Sequence, residues 1–241
     1  MIDIHNHLLF GVDDGSKTIL NSVETLHNLE EIGYTDIILT PHYIENTRYA
    51  SSKKKKKKIL KELKDTLLKE KININLYLGN EIFINDNILS LLEKEEIACL
   101  NDSKYILIEL PMSGEYDSYF DVFEELIDHG YHPILAHPER YLSFQEDFNK
   151  AIELQKLGVY LQGNIESIIG RYGRDAKKTV KKLLKNKMLT FLATDIHHNK
   201  SDYQDYIIAK KKICKYITED EYQKLVYINP KKILDNTVIE I

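Results

Sequence analysis

Short apolar runs alternate with helical patterns almost from one end of this chain to the other, and that alternation limits the folds open to it. The runs 2–5 (IDIH), 35–40 (TDIILT), 73–79 (NINLYLG), 105–110 (YILIEL), 132–137 (HPILAH), 159–163 (VYLQG) and 188–194 (MLTFLAT) read as strands. Few polar residues interrupt them, as expected of strands covered on both faces of a parallel sheet. Between them, residues 17–32 repeat apolar positions at Ile19, Val23, Leu26, Leu29 and Ile32 until Gly33 stops the helix. Further helices are predicted over 53–70, 85–95, 118–129, 147–157, 174–186 and 202–215. Seven strand–helix units without a Pro/Gly-rich linker predict one α/β barrel over 1–241; an open doubly wound sheet is the alternative. The tail from 216 reads as a short helix and an extended end packed on the barrel.

With 43% hydrophobic and 29% charged residues, the chain has material for a large core and a solvated surface. Its net charge of −5 argues against broad nucleic-acid binding. No apolar run approaches the ~20 residues of a membrane span, and the chain enters a strand at once, so a cytoplasmic protein without membrane insertion is expected. Cys99 and Cys214 have no paired spacing, which excludes a thiolate zinc cage or a disulfide framework. The Lys53–Lys58 run reads as the solvated start of a helix whose apolar face begins at Ile59, with a rim contact to an anionic substrate as the alternative.

In parallel α/β architectures, functional groups collect beyond the carboxyl ends of the strands. His5 and His7 stand two apart on the first strand and share a face. His42 follows Thr40-Pro41, Glu81 follows Gly79-Asn80, Glu109 lies in Ile108-Glu-Leu-Pro111, and His137 lies in Ala136-His-Pro138. Asn164 ends the sixth strand, Asp195 and His197 end the seventh, and Asp13 and Asp14 occupy the loop after the first. Any one of these has a structural explanation. Clustered at one barrel mouth, the carboxylates would repel one another unless cations compensate them. An imidazole–carboxylate set without thiolate suits Mn, Fe or Zn.

The ordered motifs His5-Asn-His7, Thr40-Pro-His42, Gly79-Asn-Glu81, Ile108-Glu-Leu-Pro111, His137-Pro-Glu-Arg140 and Thr194-Asp-Ile-His197 resemble those of the PHP (polymerase and histidinol phosphatase) superfamily. Phe10-Gly-Val-Asp-Asp-Gly15 and His137-Pro-Glu-Arg-Tyr141 look most like its branch of manganese-dependent protein tyrosine phosphatases from bacterial capsule and exopolysaccharide loci. The resemblance covers essentially the whole chain. It implies a distorted (β/α)7 PHP barrel and up to three divalent ions, Mn²⁺ first, with Fe or Zn as alternatives. One ion would take His5, His7, Glu81 and Asp195; a second would share Glu81 and add Glu109 and His137; a third would take Asp14, His42 and His197.

The reaction so implied is phosphate-monoester hydrolysis through a metal-bridging hydroxide, with Arg140 gripping the phosphoryl oxygens. The expected partner is a phosphotyrosine protein, a bacterial tyrosine kinase controlling polysaccharide export; oligomerisation is left open. Neither cysteine is followed by an arginine six residues on, which speaks against a cysteine phosphatase. Gly170-Arg-Tyr-Gly-Arg174 opens a helix and reads equally as an anion site or as a turn with a cap. Related proteins often carry an arginine shortly after the last motif, where this chain has Lys200. The alternatives are a small-molecule PHP phosphatase acting on a histidinol-phosphate-like substrate, a PHP exonuclease, and a non-catalytic metal-stabilised binding module.

Overall fold

The computed structural model describes residues 1–114, 119–197 and 203–240. Its strands are β1 (Ile2–Asp3), β2 (Asp36–Leu39), β3 (His42–Tyr43), β4 (Asn75–Leu78), β5 (Glu81–Phe83), β6 (Tyr105–Glu109), β7 (His132–Ala136), β8 (Tyr160–Asn164) and β9 (Phe191–Ala193). Its helices are α1 (Ile19–Glu31), α2 (Lys53–Glu70), α3 (Ile88–Glu93), α4 (Phe120–Asp128), α5 (Leu142–Glu146), α6 (Asn149–Leu157), α7 (Arg174–Lys185), α8 (Tyr203–Ile213), α9 (Glu219–Gln223) and α10 (Asn229–Leu234). The strand–helix alternation is therefore as the sequence predicts, with every described ladder parallel.

Two of the seven predicted strands are followed, past a break, by a second short strand. β2 ends before Thr40-Pro41 and β3 lies beyond the predicted 35–40, and β4 ends before Gly79-Asn80 with β5 beyond the predicted 73–79. Pro41 has no N–H to continue a ladder. A side chain on Gly79 would meet Leu100 Cδ2 at 2.6 Å, so glycine there lets Leu100 pack directly on the backbone. The ladders accordingly form two parallel sheets, β1-β2-β4 and β3-β5-β6-β7-β8-β9, instead of one uninterrupted ring.

Backbone hydrogen bonds cross both seams. Glu81 N–H donates to Thr40 O (3.3 Å), one step past the Gly79 N–H to Leu39 O bond (2.8 Å) that ends the β2–β4 pairing. On the other side, His7 N–H donates to Ile196 O and Asp195 N–H to His5 O, both 2.8 Å, around an Asn6–Ile196 bridge. β1 is shorter than predicted, and beyond it Asn6 is held by Thr40, whose hydroxyl receives Asn6 N–H at 2.9 Å.

Side chains of β1, β2, β6, β7, β8 and β9 meet in an inner apolar cluster that includes Ile2, Ile38, Leu107, Ile134, Tyr160 and Phe191. The helices pack a larger cluster, Leu8 to Val226, around the outside of the strands. The tail differs from expectation in length. A capping box at Thr218/Glu221 starts a helical run from α9 through a π-turn at Lys224–Ile228 into α10. Beyond it the chain lies under the amino ends of the strands, where Tyr160 OH donates to Ile239 O (2.7 Å) and Tyr105 OH to Thr237 O (2.8 Å).

The lysine run is not uniformly solvated. It opens α2 as predicted, capped by Ser52, but Lys56 is 1% exposed. Its Nζ donates to Asn80 Oδ1 at 2.6 Å, and burial lowers its pKa to about 7. At helical spacing, Lys56 falls on the same stripe as Leu60, Leu63 and Leu67, which the core claims.

Candidate metal centre

His5 and His7 present Nε2 atoms 3.4 Å apart. Glu81 Oε2 lies 3.3 Å from the first and 3.2 Å from the second, and Asp195 Oδ1 lies 3.4 Å from each. His5, His7 and Glu81 thus offer three donor atoms within 4.8 Å of one another, as do His5, His137 and Asp195, donor sets of the imidazole–carboxylate kind that bind first-row divalent ions. Glu81 Oε2 and Asp195 Oδ1 are buried and accept no hydrogen bond. Buried carboxylate oxygens normally find a donor. A shared cation supplies what these lack, so the residues fit the group.

The second atoms of these side chains are held by the surrounding protein. Asp195 turns Oδ2 away from the histidines, towards Asn164 Nδ2 (2.6 Å), Arg140 Nη1 (2.9 Å) and the Tyr172 hydroxyl (3.4 Å). Because that oxygen only accepts, Asn164 must direct its NH₂ there and its Oδ1 to Gln162 Nε2 (2.9 Å). Gln162 then offers Oε1 to His5 Nδ1 (2.7 Å), which must donate. The lone pair of neutral His5 is thereby fixed on Nε2, facing the cluster. Asp13 does the same for His7, its Oδ2 2.7 Å from Nδ1, while also receiving His42 N–H at 3.0 Å.

Around this nucleus lie the remaining predicted residues. His137 Nε2 is 3.0 Å from Glu81 Oε1 and 3.8 Å from Glu109 Oε1. His42 turns Nδ1 towards Glu81 Oε2 (3.0 Å) and Glu109 Oε2 (3.6 Å), and Nε2 towards Asp14 Oδ1 (3.7 Å). His197 Nε2 is also 3.7 Å from Asp14 Oδ1, while its Nδ1 donates to Asp195 O at 3.0 Å. All nine candidate ligands are thus brought together. His42 faces two groups of carboxylates, where the motif resemblance had placed it with the third ion alone.

The electrostatics are those of a crowded charged cluster. Burial opposes charge on His5, yet Glu81 and Asp195 carry its pKa up to about 9. Burial likewise opposes Glu81, but the imidazoles of His5 and His42 hold it well below the usual carboxylate range. Burial, reinforced by Glu81, pushes Glu109 up to about 8. Burial drives His137 and His197 down to about 4, helped by Arg140 and His7 respectively. Two of the candidates, His137 (φ 34°) and Asp195 (φ 53°), sit in the left-handed backbone region that non-glycine residues seldom adopt.

Arg140 is paired with Asp195, not with its neighbour Glu139. Glu139 is buried and accepts from Asn164 N–H (2.9 Å) and Ser167 Oγ (2.5 Å), tying the His137–Arg140 turn to the end of β8. The Arg140 guanidinium also lies 4.7 Å from the centre of the Tyr172 ring and keeps a quarter of its side chain exposed (24%). Gly170–Arg174 is a turn leading into α7: Arg171 Nε pairs with Glu166 Oε2 at 3.3 Å and Tyr172 covers Arg140. Lys200 lies outside the described residues. Sequence reasoning did not assign Asp13, Gln162 or Tyr172. The i, i+2 phase of Gln162 with Asn164 on one strand was a usable signal for Gln162; Tyr172 lay in the Gly170–Arg174 segment that the sequence marked, but nothing local tied it to Arg140.

Residues 1–235 match the family described as capsular polysaccharide synthesis, CpsB/CapC. The chain is 36% identical over 240 residues to a putative tyrosine-protein phosphatase CapC of Staphylococcus aureus, covering 98% of this chain and 92% of that one. It is 31% identical to the tyrosine-protein phosphatase CpsB of Streptococcus pneumoniae, covering 99% and 100% respectively. Among solved structures it superposes with a TM-score of 0.87, at 29% identity over 100% of this chain and 96% of the other, on one described as YwqE from Bacillus subtilis and CpsB from Streptococcus pneumoniae, unique metal-dependent tyrosine phosphatases. Over this length and at this identity, the chain belongs to the CpsB/CapC family.

Proposed function

We propose that the chain is a metal-dependent protein tyrosine phosphatase. The observation that carries this reading is the placing of Glu81 Oε2 and Asp195 Oδ1, carboxylate oxygens with no hydrogen bond, each 3.2–3.4 Å from both His5 and His7 Nε2, in a family whose relatives are named as such phosphatases. His5, His7, Glu81 and Asp195 would hold one ion, Glu81, Glu109, His137 and His42 would surround a second, and Asp14, His42 and His197 a third. Mn²⁺ is the favoured metal, with Fe or Zn as alternatives for a nitrogen–oxygen donor set. Such ions supply Lewis acidity and lower the pKa of water at neutral pH.

The chain's own groups do the rest. Arg140 spends Nη1 on Asp195 and, through the exposed part of its planar fork, binds phosphoryl oxygens. Tyr172, over the guanidinium, restricts its orientation. A tyrosyl leaving group, with a pKa near ~10, departs with less help from a general acid than an alkoxide needs. A cysteine mechanism finds no support: burial pushes the Cys99 thiol up to about 11 and raises that of Cys214. The physiological substrate in this reading is a phosphorylated bacterial tyrosine kinase in the cytoplasm. Among the described residues, no helix is long and apolar enough to cross a membrane. The large core cluster from Leu8 to Val226 supports treating 1–241 as one domain.

The test is hydrolysis of a phosphotyrosine peptide beside histidinol phosphate and an oligonucleotide, with and without Mn²⁺ and after alkylation of both cysteines. Metal-dependent turnover of the peptide that survives alkylation is expected. Activity without metal that alkylation abolishes would overturn the reading. Arg140→Ala should keep its metal and lose turnover by about 100-fold or more.

A further inference from the structure

The loop from β3 to α2 carries the metal-site rim directly into the lysine run. Tyr49 stacks on His42 with ring centres 6.1 Å apart, and Arg48 lies over Tyr49 at 4.9 Å with Nη2 donating to its hydroxyl at 2.8 Å. Arg48 is exposed and has no ion pair among the described residues. Five residues on begins a groove of about 670 Å³ lined by Lys53, Lys54, Lys57, Lys58, Lys61 and Lys94. Asp102 takes up Lys53 (2.8 Å) and Lys57 (3.8 Å), and Asp65 takes up Lys61 (2.7 Å). Lys54, Lys58 and Lys94 are exposed, with no carboxylate partner among the described residues.

This concentration of cations runs against the rest of a chain whose net charge is −5. It also runs against the helix: lysines at 54, 57, 58 and 61 stand three and four apart, a spacing at which like charges destabilise. Ion pairs within the fold account for Lys57 and Lys61 but not for Lys54, Lys58 and Lys94, which an anionic partner would complement.

We propose that Arg48 and this groove form a docking track for an acidic stretch of the phosphoprotein substrate, flanking the phosphotyrosine and separate from the metal centre. The proposal rests on the phosphatase reading above. Backbone geometry sets the reach. Tyr49 and Lys54 are five residues apart, at most about 18 Å, so the groove begins within reach of about five extended substrate residues beyond the rim at Tyr49. The surface is concave, and Glu95 and Glu96 line it too. An extended peptide can pass those carboxylates on its way to the lysines, whereas a flat anionic bilayer would meet them and the lysines together. Charges placed at such a rim act on capture, not on the chemical step.

The test compares wild type with Lys54→Glu/Lys58→Glu/Lys94→Glu on three substrates: p-nitrophenyl phosphate, a phosphotyrosine peptide with neutral flanks, and one with glutamates four to eight positions away. In wild type the acidic peptide should have the lowest KM, an advantage lost at about 0.5 M salt. The triple variant should raise KM for the acidic peptide about tenfold, leaving kcat and both other substrates unchanged. The corresponding Lys→Gln triple variant should fall between. Equal KM for the two peptides in wild type, or no change in the variant, would overturn the proposal. So would binding to anionic phosphatidylserine vesicles that the triple variant loses while peptide kinetics stay put. Turnover of p-nitrophenyl phosphate tests the phosphatase reading separately. Should that fail, fluorescence anisotropy with the two peptides still reads the groove.

Discussion

The hydrogen-bond chain from Asp195 through Asn164 and Gln162 to His5 runs in one direction only, because a carboxylate at its head cannot donate. Replacing Asn164 with Leu removes the link that orients Gln162, leaving His5 free to present the wrong nitrogen. Metal titration should then show affinity falling by about 10–100-fold with the fold intact, the range typical of outer-shell partners. Lys56 makes the opposite case, a buried cation that the fold tolerates at a cost. Burial lowers its pKa to about 7 in the folded chain. Between that value and the ordinary lysine value of about 10.4, the unfolded chain binds the extra proton, so stability rises with pH across this window. The contribution is complete only above the unfolded value and is lost as pH falls through 7. Lys56→Met should therefore be more stable than wild type at pH 6, by on the order of 2–4 kcal/mol, with the gap closing towards pH 10 in urea titrations.

At the scale of elements, the Gly-Val-Asp-Asp-Gly loop is shaped by contact with β1's extension. A Cβ on Gly15 would stand 2.0 Å from His7 O and 2.4 Å from His7 Cβ. Gly15→Ala should lower the urea midpoint by an amount equivalent to about 1–3 kcal/mol and weaken metal binding together, since His7 is what must move. That contact also shows where sequence reading ends. The seven strand–helix units were legible because buried parallel strands are apolar throughout, and the strand-end residues because function collects there. The breaks at Thr40-Pro41 and Gly79-Asn80 carried Pro and Gly as signals, but the resulting division into two sheets depends on which backbone partner each strand finds. Lys56 was misread because a charge run offers no local clue that one member falls on the core stripe. Tyr172 and Gln162 reach the centre through the fold alone, from α7's leading turn and from β8.

Across the whole molecule, the candidate ligands come from elements far apart in sequence, from His5 to His197, so the cluster exists only once the chain has folded. An ion bound there stabilises the folded state and not the unfolded one. At free metal a thousandfold above its Kd this amounts to about 4 kcal/mol, and chelation should lower Tm measurably in scanning calorimetry. The effect need not spread evenly. His7 N–H and Asp195 N–H cross between the two sheets, and the side chains that would share an ion, His5, His7, Glu81 and Asp195, come from both banks of that crossing. Stripping the metal should therefore speed deuterium uptake at the His7, Asp195 and Glu81 amides while the β6–β7 ladder stays slow. The ion would then act as a mechanical fastener as well as a chemical one, and metal supply in the cell would set how long the two sheets stay latched.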